Sequence, residues 1–314
     1  MSSLHEKFVN LGSPRRIWAV AAINGDHERL MALHDHLATR FNVRDRLVYL
    51  GNYIGMGAFD NRAVLEELLA FRSALLAKSG MEPNDIVHLR GPAEEAWQRL
   101  LRLQFSPAPT RALERYLEFG AESYLRLYGV SLNDTKSMAR AGSVAITRWT
   151  NQLRMLQRET PGHEAFVCSF RRAALAATPD DKAVLFVPAG YDGSRILEDQ
   201  EDNLWFSRTS FALPADNQTI SRIVRGFDAM RRGVQTEGRA VTLDAGAGRG
   251  GPLVCGCFNV DGQLLEMIAV GGKGAVESSR FEHVSRPAMP IRSVPQIGII
   301  PPSEQPSLFE GLRG

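Results

Sequence analysis

Apolar residues in the first ninety positions follow two alternating rhythms. Three short runs, "IWAVAAI" (17–23), "RLVYL" (46–50) and "DIVHL" (85–89), are apolar on consecutive positions and rich in β-branched or aromatic residues. That is the pattern of strands buried on both faces. Between the first two, "HERLMALHDHLATR" carries Leu30, Leu33 and Leu37 at helical spacing. Between the second and third, "NRAVLEELLAFRSALLAKS" places Val64, Leu65, Leu68, Phe71 and Leu75 on one stripe, with Asp60 or Asn61 as its N-cap. Strand, helix, strand, helix, strand predicts a parallel sheet with right-handed crossovers. Ligands of such a sheet sit beyond the C-terminal ends of its strands, which here read "AAINGD", "GNYIGMG" and "RGPAEE".

From about 94 to 176 the pattern is mostly helical, including "RALERYLEFGAESYLRLYG" and "HEAFVCSFRRAALAA". Strand patterns return in "KAVLFVPAG", "RIVRG", "RAVTLDAG", "PLVCGCFNV" and "QLLEMIAVGG". Asp261-Gly262 between the last two is a strong hairpin signal. These runs predict an α/β fold with a helical insertion and a second, more antiparallel sheet. The expected division is an N-terminal arm (1–14), a main domain (15–275) holding the insertion, and a flexible tail rich in proline, serine and glycine (276–314).

Composition narrows the function classes. The chain has 314 residues, 44% hydrophobic and 23% charged, with a formal net charge of +2. So mild a charge gives no electrostatic case for nucleic acid or an anionic membrane. "MSSLHEKFVN" has no apolar core of a secretory signal, and no run approaches a spanning helix. Cys255 and Cys257 alternate along a strand and share a face, while Cys168 is distant. With no Cys-x-x-Cys, buried free thiols in a reducing cytoplasm are expected.

The strand ends resemble those of the calcineurin-like metallophosphoesterase family, in the branch of serine/threonine protein phosphatases and bacterial diadenosine tetraphosphatases. That family's strands run into Gly-Asp-Ile-His-Gly, Gly-Asp-Tyr-Ile-Asp-Arg-Gly and Arg-Gly-Asn-His-Glu, followed by Val-His-Ala-Gly, Gly-His-Thr and Asp-x-Gly-Ala segments. This chain keeps the frame in order as "AAING", "GNYIGMG", "RGPAE", "VPAGYDGSRILEDQEDNLWFSR", "RGFDA" and "LDAGAG", across roughly 15 to 272. The resemblance implies a two-sheet α/β/β/α sandwich with two metal ions at the strand ends.

The residues at the matching positions are different. The first metal-binding Asp and His become Ala22 and Asn24, and the bridging Asp becomes Asn52. The ligand Asn becomes Pro92, and the two later ligand histidines become Pro188 and Phe227. The general-acid His falls at Ala93, its orienting Asp at Gly55 and the phosphate-clamping Arg at Met56. Hard dications need anionic oxygen donors, and two held ~3.5 Å apart repel strongly without carboxylates between them. The resemblance therefore implies a pseudophosphatase with no catalytic residues, no metal and no cofactor, and the free thiols and missing signal lead us to expect it in the cytoplasm.

A competing reading has the ligands displaced to Asp26 and His27. At a helix start, however, acidic residues serve capping and the macrodipole. His34 lies on the Leu30–Leu37 face and reads as packed, Glu94 opens a helix and reads as structural, and His88 reads as a hydrogen-bonded core residue. The glycines of the strand ends imply that a groove persists. Arg208, matched to a family phosphate-holding arginine, joins Arg90, Arg225 and Arg249 as candidate phosphate ligands; the alternative is that they pair with the acidic run Glu198, Asp199, Glu201 and Asp202. In the tail, "QPSLF" resembles the peptide that docks many bacterial proteins on the replication sliding clamp. Gln305, Ser307, Leu308 and Phe309 carry the match, with Leu308 and Phe309 filling an apolar pocket. The expected partner is a protein rather than a nucleic acid or membrane.

Overall fold

The computed structural model describes residues 7–57, 59–180, 182–200, 202–205 and 211–281. The three apolar runs form β2 (Arg16–Val20), β3 (Asp45–Tyr49) and β4 (Ile86–His88), paired in parallel after β1 (Phe8–Asn10) has opened the chain. Helices α1 (His27–Ala38) and α2 (Asn61–Leu76) make the crossovers. Asp60 caps α2, accepting the Ala63 N–H at 3.0 Å.

Alternation along the strands explains why both faces are apolar. Ile17, Ala19, Val48 and Val87 point into the core between two sheets. Trp18, Val20, Leu47 and Tyr49 point the other way, against Leu30, Leu33, Leu68 and Phe71 of the helices. The second sheet contains β1, β5 (Ala173–Ala177), β6 (Ala183–Val187), β7 (Ile220–Arg225), β8 (Gln235–Glu237) and β9 (Ala240–Thr242), in the order β1-β5-β6-β7-β9-β8. Its outer face is covered by Tyr191, Leu204, Trp205 and Phe211, and a 3-10 turn (Leu197–Asp199) is the helical element there among the described residues.

Four expectations about the elements change, and one about a thiol. The Asp261-Gly262 hairpin forms, but its strands β10 (Leu253–Phe258) and β11 (Leu264–Val270) extend the first sheet, β10 pairing with β2. The first sheet therefore has the larger antiparallel share, and the second has three parallel pairings against two antiparallel. Next, "AALAA" is strand β5 rather than helix. Alanine's helix propensity yields to tertiary pairing with β1 and β6, and Ala174 and Ala176 fit the narrow inter-sheet core. The two remaining changes concern the ends. Residues 8–10 of the expected arm and 276–280 of the expected tail are sheet strands, the latter β12 (Val276–Arg280) against β11. Cys255 and Cys257 are buried in one core cluster, but Cys168 is exposed.

The insertion runs as α3 (Pro92–Leu100), α4 (Pro109–Tyr116), α5 (Glu122–Leu127), α6 (Leu132–Arg140), α7 (Ser143–Glu159) and α8 (His163–Cys168). Trp97, Tyr124, Trp149 and Phe166 join it to the core under the first sheet. Among the described residues, no helix is long and apolar enough to cross a membrane.

Candidate functional site

All six motif segments meet at one end of the two sheets; backbone hydrogen bonds join five of them, and the Asn52 and Glu94 side chains tie in the segment at 90–94. The Ala22 N–H donates to Gly226 O (3.0 Å), and those of Ile23 and Asn24 donate to Asn52 O (3.0 and 2.8 Å). Gly226 and Phe227 N–H groups reach Pro188 O (3.2 and 3.0 Å), and the Leu243 N–H reaches Arg225 O (3.0 Å). The Asn24 side-chain Nδ2 closes the ring on Ala247 O at 3.0 Å.

Glycine makes this convergence possible. A Cβ on Gly51, at φ +89°, would stand 2.5 Å from the Gly91 nitrogen, and one on Gly248 would stand 2.2 Å from Asn24 O. Backbone therefore packs on backbone where an open groove was expected. Ala22, Asn52, Gly55, Pro92, Ala93 and Pro188 are buried, and Asn24 and Phe227 partly so. Phe59, which the sequence reading passed over, covers the Gly25 and Gly55 backbones: a Cβ on either would lie 2.7 or 2.5 Å from its ring. Met56 alone of the matched positions is exposed, at 64%.

The two asparagines adopt left-handed backbone, φ 49° at Asn24 and 55° at Asn52, which asparagine tolerates better than most residues. Their carboxamides are occupied by loop geometry. Asn52 Oδ1 accepts the Ala93 N–H (3.2 Å). Glu94 anchors the same loops, accepting N–H groups of Asn52 (2.8 Å), Tyr53 (3.1 Å) and Gly91 (2.9 Å) and the Tyr124 hydroxyl (3.2 Å). Burial raises its pKa, against the lowering effect of the backbone donors. The structural reading of Glu94 holds.

Sequence reasoning missed two buried carboxylates at this end, Asp228 and Asp244. Asp228 meets Arg225 (3.2 Å) and Arg232 (2.8 Å), and Asp244 meets Arg249 (3.0 Å). The mouth of the sheets thus contains anionic side chains, and these two aspartates are neutralised by guanidinium. Burial would raise the Asp228 pKa, yet the Arg232 hydrogen bond and the Arg225 charge hold it below its usual value. An Arg three residues before Asp228 and another five after Asp244 were the available signal.

Three of the four candidate phosphate ligands are engaged in internal contacts. Arg90 pairs with Glu95 (3.0 Å) and stacks on Trp205. Arg225 is buried, bonded to Thr242 Oγ1 (2.8 Å) and Ala189 O (3.2 Å) as well as Asp228. Arg249 holds Asp244 and lies over Phe227. Among the described residues, their partners are these carboxylates rather than Glu198, Asp199 or Asp202. Arg208, Gln305, Ser307, Leu308 and Phe309 lie outside the described residues.

Asp26 caps α1, accepting the Arg29 N–H at 3.3 Å, and also receives the Gly248 N–H. His34 is packed as expected, between Phe71 and the hydroxyl of Tyr49 (2.8 Å). His88 corrects the expectation: its Nε2 is buried without a hydrogen-bond partner, and the ring stacks on Tyr49, because β4 faces an aromatic layer there rather than a polar one. Among the described residues, no three His, Cys, Asp or Glu side chains converge to hold a metal ion. The donors at the strand ends, two engaged carboxamides and arginine-neutralised aspartates, do not fit a pair of dications.

No family pattern matches the chain, and no curated protein matches it. Several solved structures are similar to it, and two of them are as follows. One, assigned as a diadenosine tetraphosphatase, shares 15% identity at a TM-score of 0.42, over 88% of this chain and 99% of its own. The other, a protein serine/threonine phosphatase from Saccharomyces cerevisiae, shares 13% at 0.36, over 90% and 86%.

Proposed function

We propose that this chain is a non-catalytic member of the metallophosphoesterase fold, a pseudophosphatase that acts by binding another protein as a regulator or adaptor. One observation carries this reading: the six strand-end segments assemble as a phosphatase site would, while the side chains that would hold its metals are absent or engaged in holding the loops together. Asn52 serves Ala93, Asn24 serves Ala247, and Asp228 and Asp244 serve arginines. A metal-free phosphate sensor at the same place has less support, since Arg90, Arg225 and Arg249 already have carboxylate partners. Within this reading, Gln305, Ser307, Leu308 and Phe309 form the proposed docking peptide, and the partner is the replication sliding clamp.

The test is turnover of p-nitrophenyl phosphate and diadenosine tetraphosphate by purified protein supplied with manganese, iron or zinc. The expected rate equals that of metal and buffer alone. Turnover that co-elutes with the protein through successive columns overturns the proposal.

A further inference from the structure

The helical insertion has a hollow of its own, about 200 Å³, where α3 and the turn after it meet α7 and α8. Leu101 and Val167 form its apolar wall, and Arg102, Arg154 and Arg158 surround it. Charge there is unbalanced. Arg158 holds Glu164 at 2.8 Å. Arg154 is anchored only through neutral acceptors, Asn151 Oδ1 (2.7 Å) and Leu101 O. Among the described residues, neither Arg102 nor Arg154 has a carboxylate partner. Burial lowers the Arg154 pKa, and the charges of Arg102 and Arg158 lower it further. Gln157 spends its Oε1 on the Trp97 indole N–H (2.8 Å), which leaves its amide N–H groups as further donors on the wall.

We propose that this hollow binds a small phosphomonoester, its dianionic head between Arg102 and Arg154 and its organic part against Leu101 and Val167. Guanidinium forks match phosphate oxygens bidentately. A dianion balances the two unpaired positive charges, which a carboxylate would leave half uncompensated. The volume falls below the ~300–1,000 Å³ of pockets that enclose drug-sized ligands, which fits a small ester better than a nucleotide. The site is separate from the strand ends and stands or falls without regard to catalysis there.

Cys168 lines the hollow and is exposed, whereas Cys255 and Cys257 are buried, so its alkylation by N-ethylmaleimide reports occupancy. O-phospho-L-serine is expected to slow alkylation by a factor of 1 + [L]/Kd, about tenfold at roughly ten times Kd, while serine has no effect. Arg102→Ala, at an exposed position, and Arg154→Gln each weaken protection roughly tenfold. Glu164→Gln, which releases Arg158, strengthens it. Unchanged alkylation at about 10 mM O-phospho-L-serine overturns the proposal. So does equal protection in an Arg102→Ala protein of native circular dichroism, and protection by phenyl phosphate no stronger than by inorganic phosphate contradicts the apolar contact.

Discussion

At Asn52 one residue does two structural jobs: its side chain accepts the Ala93 N–H at the start of α3, while its backbone takes the left-handed turn that leads the chain from β3 toward α2. An aspartate there would place a formal charge beside Glu94, already buried and surrounded by backbone donors. Such a pair of carboxylates needs cations, and the neutral amide removes that need. His88 shows the same scale at work in the core. Desolvation, with smaller contributions from Arg72 and His34, lowers its pKa to about 3. The folded state therefore keeps the ring neutral while the unfolded chain, near 6.5, takes up a proton. Stability is complete above the unfolded pKa and falls on acidification toward about pH 3, by ~1.4 kcal/mol per pH unit for this one group. His88→Phe, which retains the stack on Tyr49 and removes the unpartnered Nε2, is predicted to be at least as stable as wild type at pH 7. It should also lose that share of acid sensitivity. Urea midpoints across pH 4 to 7 measure both; an unchanged acid slope would refute the assignment.

At the scale of elements, the strand ends are joined by close contact between glycine backbones. Gly51→Ala is predicted to cost about 3 kcal/mol, because its Cβ would meet the Gly91 nitrogen at 2.5 Å in a left-handed conformation. Gly57→Ala, with nothing within 4 Å of its Cβ, should cost only the backbone strain, about 1 kcal/mol. Similar thermal denaturation midpoints for the two would mean that the loops are more open than described. The elements around these loops were largely legible, since β2, β3 and β4 alternate between two apolar environments and α1 and α2 carry clear stripes. Three features were not. β5 is alanine-rich and takes its conformation from its neighbours. β12 is exposed along its whole length and has no apolar signature. The pairing of Asp228 and Asp244 with arginines depends on side-chain reach across turns, which residue order alone does not encode.

At the scale of the molecule, the strand ends form one closely packed face of the two sheets. The clamp proposal belongs here. A peptide of residues 300 to 314 is predicted to bind the sliding clamp, and the same peptide with Leu308→Ala and Phe309→Ala is predicted not to; fluorescence anisotropy distinguishes them, and equal affinity contradicts the proposal. The central claim concerns the sheets' other resource, the charge needed to hold ions. Equilibrium dialysis of the full chain against manganese, followed by elemental analysis, tests it most directly. Less than one-tenth of an ion per chain at about 1 mM manganese is the predicted result, since the carboxylates described at the strand ends are already engaged, Asp26 by Arg29 and the α1 cap, Glu94 by backbone N–H groups, and Asp228 and Asp244 by arginines. Two ions retained per chain would contradict the account.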